Sequence, residues 1–318
     1  MVNEIPADDL QVDELDRSII EILRRDARVT NKFIAETLEI AESTVGQRIK
    51  SMSRHGIMRV VALRDIRSLG YDLIAHADIF VEGRDARDVA LELAPIDEID
   101  MVALYTGSPQ IIAQINVENR KQLSHVLTEM IGTAAGVTHV ETVISLEIFK
   151  YESELGAHLA EDEQTNPRIH ERDLDERIIA ELERDGRVSN REIARTLDIS
   201  EGTVRNRMKP LLDNHIVKFG AIIDHRALGL RCSAFLRLSV EPSRSRAVAR
   251  EIAKLGEVPY VALAAGRFNI LCVVTTTDRR RLTRLIQERI DPLDGVHLID
   301  VREHIEVLKH RFQRVRIR

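Results

Sequence analysis

Two segments of the sequence predict helices with one polar, basic face. In the first segment, Val45, Ile49 and Met52 recur at helical spacing and predict a buried stripe. Hydroxyl and amide side chains hydrogen-bond to base edges, whereas Arg and Lys bind guanine edges or phosphates. The side chains placed for such contacts, with no acid among them, are Ser43, Thr44, Gln47, Arg48, Lys50 and Arg54. This segment therefore predicts a helix that reads duplex DNA.

The second segment lies 159 residues further along the chain and repeats the pattern. Its buried stripe is Val204, Met208 and Leu211, and its candidate DNA contacts are Thr203, Arg205, Asn206, Arg207 and Lys209. An ordinary solvated helix face is the alternative for both segments. Because the same three-helix pattern surrounds each of them, the sequence favours DNA binding.

The two candidate recognition helices differ in ways that predict unequal strength. Ala41 precedes the first helix where Ser200 caps the second, and Gly46 stands inside the first where the second has Arg205. Each change weakens an isolated helix by about 1 kcal/mol. Pro210 predicts that the second helix kinks or ends just before it. We expect the two helices to read unequal half-sites, with tighter binding by the second.

These helices belong to an internal duplication of the whole chain. Residues 15–50 and 174–209 are identical at 20 of 36 positions without a gap. The same offset of 159 aligns residues 107–127 with 266–286, and GVTHVE with GVHLID further on. The chain of 318 residues is therefore one unit of about 150 residues, present twice.

Composition excludes several classes of protein. With 44% hydrophobic and 31% charged residues, the chain can bury a core and is not disordered throughout. Its longest stretch without charge, residues 101–117, is too polar for a membrane span, and its acidic start is not a secretory signal. Two cysteines cannot build a disulfide framework or a four-thiolate zinc site. We expect a cytoplasmic protein in a reducing compartment.

The overall charge does not decide the question of nucleic acid. The formal net charge is -6, but 46 basic residues are present and a total does not locate them. Aromatic residues make up only 3% and Trp is absent, which disfavours the base stacking used by single-strand binders. Duplex binding by polar side chains is the mode that remains.

The order of predicted elements gives the domain organisation and an α+β fold class. In each copy three helices lead to a short β-wing, and a βαββαβ pattern follows, which is the ferredoxin-like plan. In copy one we predict strands over 73–81, 99–106, 111–117 and 137–146, with helices over 85–93 and 120–131. A ferredoxin-like sheet has helices on one face only. The second copy must cover the bare face, either within the chain or from another chain.

The predicted domain boundaries of the second copy lie about 159 residues after those of the first. We predict winged helix-turn-helix domains at 10–64 and 170–223, ferredoxin-like effector and oligomerisation domains at 65–151 and 224–310, an acidic linker at 152–169 and a basic tail at 311–318. The tail alternates basic and apolar residues. It fits an edge strand, a phosphate contact or a solvated end, and the sequence does not choose among them.

Residues with catalytic potential are few. His76 and Asp78 alternate on one predicted strand, but copy two has Phe235 and Arg237 at these positions, so sheet pairing is favoured over catalysis. Cys232 fits a small core residue, as does Cys272. The histidines form no metal-binding pair, and the sequence has no Walker loop, nucleophile elbow or GxGxxG turn. We expect no catalytic residues, no metal, no cofactor and no enzymatic activity.

These motifs together resemble two fused copies of the Lrp/AsnC regulator family. The resemblance runs from residue 10 to about 310 and includes LDxxII, RVSNREIARTLDIS and GVTHVET in order. It implies a sequence-specific transcription regulator that binds double-stranded DNA, responds to an amino acid or related metabolite, and forms homo-oligomers through paired β-sheets. We expect a dimer or tetramer of chains.

The resemblance also locates an effector site at the turn between the second and third strands of each ferredoxin-like domain. The family carries a glycine there and an aspartate three residues later. The corresponding candidates here are Thr106, Gly107, Gln110, Gly266, Arg267 and Asn269. Both aspartates are replaced by amides, which removes the natural partner of an effector amino group, whereas Arg267 would suit a carboxylate.

The same fused architecture also resembles the sirohaem decarboxylases, which enclose a tetrapyrrole. That chemistry would use His and basic residues around the carboxylates of the substrate. The 11 histidines here are scattered, so regulation remains the favoured function and decarboxylation the alternative.

Overall fold

The computed structural model describes residues 12–151, 172–311 and 314–315. The predicted acidic linker and most of the basic tail lie outside these ranges. The described residues form two compact units, one from residues 12–69, 172–229 and 314–315, the other from Gly70–Tyr151 and Leu230–Arg311. The first unit contains the helix-turn-helix portion of both copies, and the second contains the βαββαβ portion of both copies.

The first copy supplies five helices and five strands in this order: α1 (Glu14–Arg25), α2 (Asn31–Leu38), α3 (Glu42–Arg54), β1 (Met58–Asp65), β2 (Leu73–Val81), α4 (Ala86–Leu93), β3 (Ile99–Tyr105), β4 (Ile111–Val117), α5 (Arg120–His125, continued by a π-helix to Ile131) and β5 (Val137–Tyr151). The second copy supplies α6 (Arg172–Arg184), α7 (Asn190–Leu197), α8 (Glu201–Asp213), β6 (Val217–Ile223), β7 (Cys232–Val240), α9 (Ser245–Ala253), β8 (Tyr260–Ala265), β9 (Ile270–Thr276), α10 (Arg279–Leu285), β10 (Val296–His310) and β11 (Arg314–Val315).

The observed elements confirm the α+β fold class and the βαββαβ order. Strands β2 and β4 have the predicted bounds, while β5 runs five residues beyond its predicted end. The expected end of the second recognition helix was wrong, because α8 continues through Pro210 to Asp213. Leu211 is buried in the last turn, so packing offsets the hydrogen bond that proline cannot make.

In the helical unit, the strand that follows each three-helix set pairs with the other copy. β1 runs antiparallel to β6 from Met58 opposite Ile223 to Arg64 opposite Val217. Ala62 of the first copy lies in the hydrophobic core of the second. β11 adds to β1 in parallel, so the tail forms an edge strand at Arg314–Val315. The predicted wing strands therefore join the two helix-turn-helix copies.

The second unit is a closed eight-stranded barrel with the order β10-β3-β4-β2-β5-β8-β9-β7. Outside the strands, helices α4 and α5 cover the core of the first copy, and α9 and α10 cover that of the second. Cys232 and Cys272 are buried in the second core, as expected of small core residues. Of the two partners that the sequence left open, the copy in the same chain covers the bare sheet face.

No helix within the described ranges has both the length and the apolar character needed to cross a lipid bilayer.

Candidate nucleic-acid interface and effector sites

The two recognition helices begin differently, as their sequences predict. Ser200 caps α8, because its Oγ accepts a hydrogen bond from the Thr203 N–H at 3.0 Å. The preceding helix, α7, begins with a capping box between Ser189 and Glu192. Ala41 gives α3 no side-chain cap. The second helix-turn-helix therefore has the better-satisfied helix starts.

Most of the predicted DNA contacts lie on the accessible sides of these helices. Val45 and Met52 are buried under α3, and Val204, Met208 and Leu211 are buried under α8. The exposed candidates are Ser43, Gln47, Lys50, Arg54, Arg205, Asn206 and Lys209, while Thr44, Arg48, Thr203 and Arg207 are half-buried. Each helix thus presents a polar side opposite its core, and DNA contact by these residues stays a prediction.

Arg48 is engaged within the protein. Its Nη1 donates to Asp13 Oδ2 at 2.6 Å and to Asp16 Oδ2 at 3.3 Å, which ties α3 to the start of α1. Burial raises the pKa of Asp16 despite the nearby guanidinium, whereas the Asp16 backbone N–H and Arg48 lower the pKa of Asp13. In copy two the position of Asp13 is occupied by Arg172. The acidic pair that holds Arg48 is therefore particular to the first copy.

At the two turns predicted to bind effector, which remains a prediction, both amide side chains bind the backbone of a neighbouring strand end. Gln110 donates through Nε2 to the Val81 carbonyl and accepts from the Val81 N–H, each at 3.2 Å. Asn269 donates to the Val240 carbonyl at 2.7 Å and accepts from its N–H at 2.9 Å. A carboxylate could accept but not donate here. The amides that replace the aspartates of the family therefore have a structural role.

The first effector turn contacts a polar part of the second copy. The Thr106 N–H donates to the Glu303 carbonyl at 3.0 Å, and its Oγ1 accepts from the Glu303 N–H at 3.2 Å. Gly107 has a φ of +88°, and a Cβ there would lie 3.0 Å from Nη1 of Arg302. The backbone conformation favours glycine at this position, whereas the flexible end of the Arg302 side chain could move aside for a Cβ.

The second effector turn has a different environment. A Cβ on Gly266 would lie 3.7 Å from the aliphatic side chain of Val143, at an ordinary contact distance. Arg267 is exposed, with its guanidinium carbon 5.4 Å from the centroid of the Phe268 ring. The two candidate sites, equivalent by sequence, therefore differ in the charges around them.

Inside the barrel, the residues that looked catalytic face their equivalents from the other copy. Asp78 forms a buried ion pair with Arg237, whose Nε also donates to Asp300 Oδ2 at 2.8 Å. Burial raises the pKa of Asp78, and the Arg237 charge opposes that rise. The ring centroids of His76 and Phe235 are 5.5 Å apart. These four side chains pack the two copies together.

A chain of hydrogen bonds surrounds this central packing. His76 Nε2 lies 3.2 Å from the Tyr260 hydroxyl, which lies 3.1 Å from Ser145 Oγ. His304 contacts the Tyr105 hydroxyl through Nε2 and lies 2.8 Å from Ser233 Oγ through Nδ1. Burial lowers the pKa of His76 to about 4, so its imidazole is neutral at pH 7. Sequence reasoning missed the partners of both histidines, because they lie on strands that meet only when the barrel closes.

Among the described residues there is no group of three or more His, Cys, Asp and Glu side chains arranged to hold a metal ion.

Comparison with known proteins identifies both kinds of domain. The model of the AsnC-type helix-turn-helix domain matches residues 12–53, and that of winged helix-turn-helix DNA-binding domains matches residues 171–218. The Lrp/AsnC ligand binding domain matches twice, at 74–155 and 233–313, which together are half of the chain. The chain belongs to the Lrp/AsnC family. It contains two helix-turn-helix domains, of which the first matches the AsnC type, and the ligand-binding domain of this family in duplicate.

Relatives in the Lrp/AsnC family match about one copy at a time. An uncharacterised HTH-type transcriptional regulator of Pyrococcus furiosus is 35% identical over 141 residues, which are 44% of this chain and 95% of the relative. The HTH-type transcriptional regulator Ptr1 of Methanocaldococcus jannaschii is 34% identical over 125 residues, 39% of this chain and 84% of the relative. This Lrp/AsnC chain is therefore about twice as long as these single-copy relatives.

Two solved structures of one protein match almost the whole chain. The first is the sirohaem decarboxylase NirDL in complex with an iron-uroporphyrin III analogue, with a TM-score of 0.65, coverage of 96% of this chain and 94% of that chain, and 16% sequence identity. At this identity the likeness establishes a common fold and nothing about activity.

Proposed function

We propose that this Lrp/AsnC chain is a transcription regulator that binds specific sequences of double-stranded DNA. The observation that carries the proposal is the pair of helix-turn-helix domains joined through β1 and β6, each with an exposed polar side on its recognition helix. Pairs of such helices bind two half-sites on one face of a duplex. The regulator names of the Pyrococcus and Methanocaldococcus relatives support the same function.

The effector of this regulator is a small metabolite, an amino acid or a related compound, bound at the turns that contain Gly107 and Gly266. The ammonium group of an amino acid would need a partner other than Gln110 and Asn269, because both amides are engaged with the backbone. Arg267 is exposed at the second turn and suits a carboxylate. The two turns therefore differ in effector affinity.

The chains also assemble into a homo-oligomer, a dimer or tetramer, through surfaces other than the inner sheet faces. Those faces are already paired within one chain by the closed barrel. One tandem chain therefore corresponds to a dimer of single-copy chains.

A tetrapyrrole decarboxylase is the second candidate function. The specific observation in its favour is the polar interior of the barrel, in which Nδ1 of the buried His76 has no hydrogen-bond partner among the described residues. The full-length likeness to NirDL adds the same fold. Regulation is preferred because the decarboxylase likeness rests on 16% identity, against 35% for the Pyrococcus regulator.

Two assays separate these functions. In a gel-shift assay, the intact chain should retard a duplex from its own upstream region and should resist competition by an unrelated duplex. Addition of iron-uroporphyrin III should produce no shifted Soret band at equimolar protein. Failure to retard DNA together with a tight, spectrally distinct tetrapyrrole complex would replace regulation with the decarboxylase function.

A further inference from the structure

A basic cleft lies beside the recognition helix of the second copy. Its volume is about 560 Å³, and it runs along α8 near the start of α7. Its charged lining consists of four cations and two acids: Arg28, Arg191, Arg205, Lys209, Glu201 and Asp213. One of the acids, Glu201, pairs with Arg205 at 3.2 Å on a well-exposed surface, where ion pairs contribute little. The cleft therefore has an excess of positive charge.

The first copy contributes Arg28 to this cleft. Arg28 lies in the turn between α1 and α2, and its guanidinium carbon is 4.4 Å from the centroid of the Phe219 ring on β6. Burial lowers the pKa of Arg28, and the carboxylates of Asp185 and Asp26 oppose that shift. Arg28 is an exposed cation held against an aromatic face, so its guanidinium is positioned by Phe219 while it stays accessible to an anion in the cleft.

The equivalent arginine of the second copy is used differently. Arg187 donates to the Ala27 carbonyl at 3.3 Å, to the Val29 carbonyl at 3.0 Å and to Asn31 Oδ1 at 2.8 Å. These three bonds fix its guanidinium to the backbone and to the first turn of α2. The residue equivalent to Phe219 is Val60, which offers no aromatic face.

The remaining cleft residues also differ between the copies. In the first copy, Gly46 stands in place of Arg205, and Arg54 in place of Asp213. The first recognition helix therefore lacks the cation at the Arg205 position but carries one at the Asp213 position, so the two copies place their basic charge differently. The cleft is a property of the second helix-turn-helix, completed across the junction by the first copy.

We propose that this cleft binds a phosphate of the DNA backbone beside the bases that α8 reads, with Arg28 and Arg191 as its anchoring cations. In a helix-turn-helix the first helix crosses the backbone while the recognition helix enters the major groove, and the cleft lies between these two helices. A planar guanidinium matches a phosphate with two parallel hydrogen bonds. This inference rests on the proposed DNA binding and names a phosphate contact of the second module that is completed by Arg28 of the first copy.

The test uses the full-length chain and a mixed-sequence duplex. Binding is measured between 50 and 300 mM salt for the wild type, Arg28→Gln, Arg191→Gln and the control Arg184→Gln, which removes an exposed charge of the same unit outside the cleft. Each cleft variant should reduce the slope of log affinity against log salt by up to about 0.9, which corresponds to roughly eightfold weaker binding at 0.1 M salt. The control should retain the wild-type slope.

The outcomes separate this inference from the proposed function. If the wild type binds the duplex but Arg28→Gln and Arg191→Gln keep its slope, the phosphate site is wrong and DNA binding stands. If the wild type binds no duplex at any salt, both fail. Arg191 is exposed, so its variant tests the cleft even where Arg28→Gln lowers the melting temperature. Titration with ATP in the absence of DNA completes the test. If the wild type binds ATP, Arg28→Gln does not, and the salt slope of DNA binding is unchanged, the cleft binds a free nucleotide and the proposal is overturned.

Discussion

At the level of single residues, the two copies have diverged most in their charges. Asp78 and Arg237 occupy equivalent positions, yet one is an acid and the other a base, and they meet inside the barrel. A pair of identical copies would place two like charges at this contact. Because the two copies are parts of one chain, each can change independently, and equivalent positions can carry opposite charges. The ion pair therefore joins two copies that are no longer identical.

Removal of one partner of this pair should destabilise the barrel. Arg237→Met leaves Asp78 buried without its cation, which costs about 3–5 kcal/mol in the free energy of unfolding. The double variant Asp78→Leu with Arg237→Met removes both charges of the buried pair. It leaves the half-buried Asp300 with Arg302, and it should recover much of that loss. Urea unfolding of the three proteins measures both effects. Equal stability of Arg237→Met and the wild type would contradict the role of the ion pair.

His76 should make stability depend on pH. Its pKa is about 4 in the folded chain against an ordinary 6.5, so the unfolded chain binds more protons between these values. Stability contributed by neutral His76 is therefore complete above about pH 6.5 and is lost as the pH falls toward 4, by about 3 kcal/mol. The difference in unfolding free energy between wild type and His76→Phe should shrink or reverse over this range. A difference between wild type and His76→Phe that stays constant from pH 7 to pH 4 would contradict this role of His76.

At the level of elements, the helix-turn-helix copies depend on close contact between a helix end and a strand of the other copy. The Gly186 N–H, just past α6, donates to the Val60 carbonyl at 2.8 Å. A Cβ on Gly186 would lie 2.8 Å from the Val61 backbone, which leaves no room for it. Because Gly186 has no side chain, the end of α6 in the second copy can pack directly against β1 of the first copy.

Gly186→Ala should consequently separate α6 from β1 and destabilise the helical unit by about 1–3 kcal/mol. The matched control is Gly202→Ala on the exposed side of α8, where the nearest atom to a new Cβ is 3.6 Å away. That change should stabilise the helix by up to about 1 kcal/mol. Thermal unfolding measures both, and a neutral Gly186→Ala would contradict the close contact.

The elements themselves could largely be predicted from the sequence, because each follows from local periodicity. The alternating faces of residues 73–81 and the apolar run at 111–117 predicted both strands with their observed bounds. Periodicity does not specify partners, so the sequence left open whether the second copy or another chain covers the sheet. The contacts of Arg28 and Arg187 were also beyond prediction, since Arg28 packs on Phe219 and Arg187 binds the turn before α2, and both contacts join the two copies only in the folded chain.

At the level of the whole molecule, duplication in one chain makes the pairing of copies independent of concentration. The barrel closes within one chain, so its strand pairing needs no second chain. We still expect chains to associate through other surfaces. Light scattering at micromolar concentration should give the mass of two or four chains of 36.1 kDa. A mass of one chain would contradict this assembly and leave the tandem chain as the complete unit.

The central claim is that this Lrp/AsnC chain regulates genes by reading duplex DNA with two unlike modules. Genome-wide mapping of the DNA bound by the intact chain tests it most directly. The account predicts a limited set of sites, each with two unequal half-sites, and a loss of that set when Asn206 and Arg207 are both changed to Ala. Uniform recovery of DNA without enriched sites, or a set of sites that survives this double change, would contradict it.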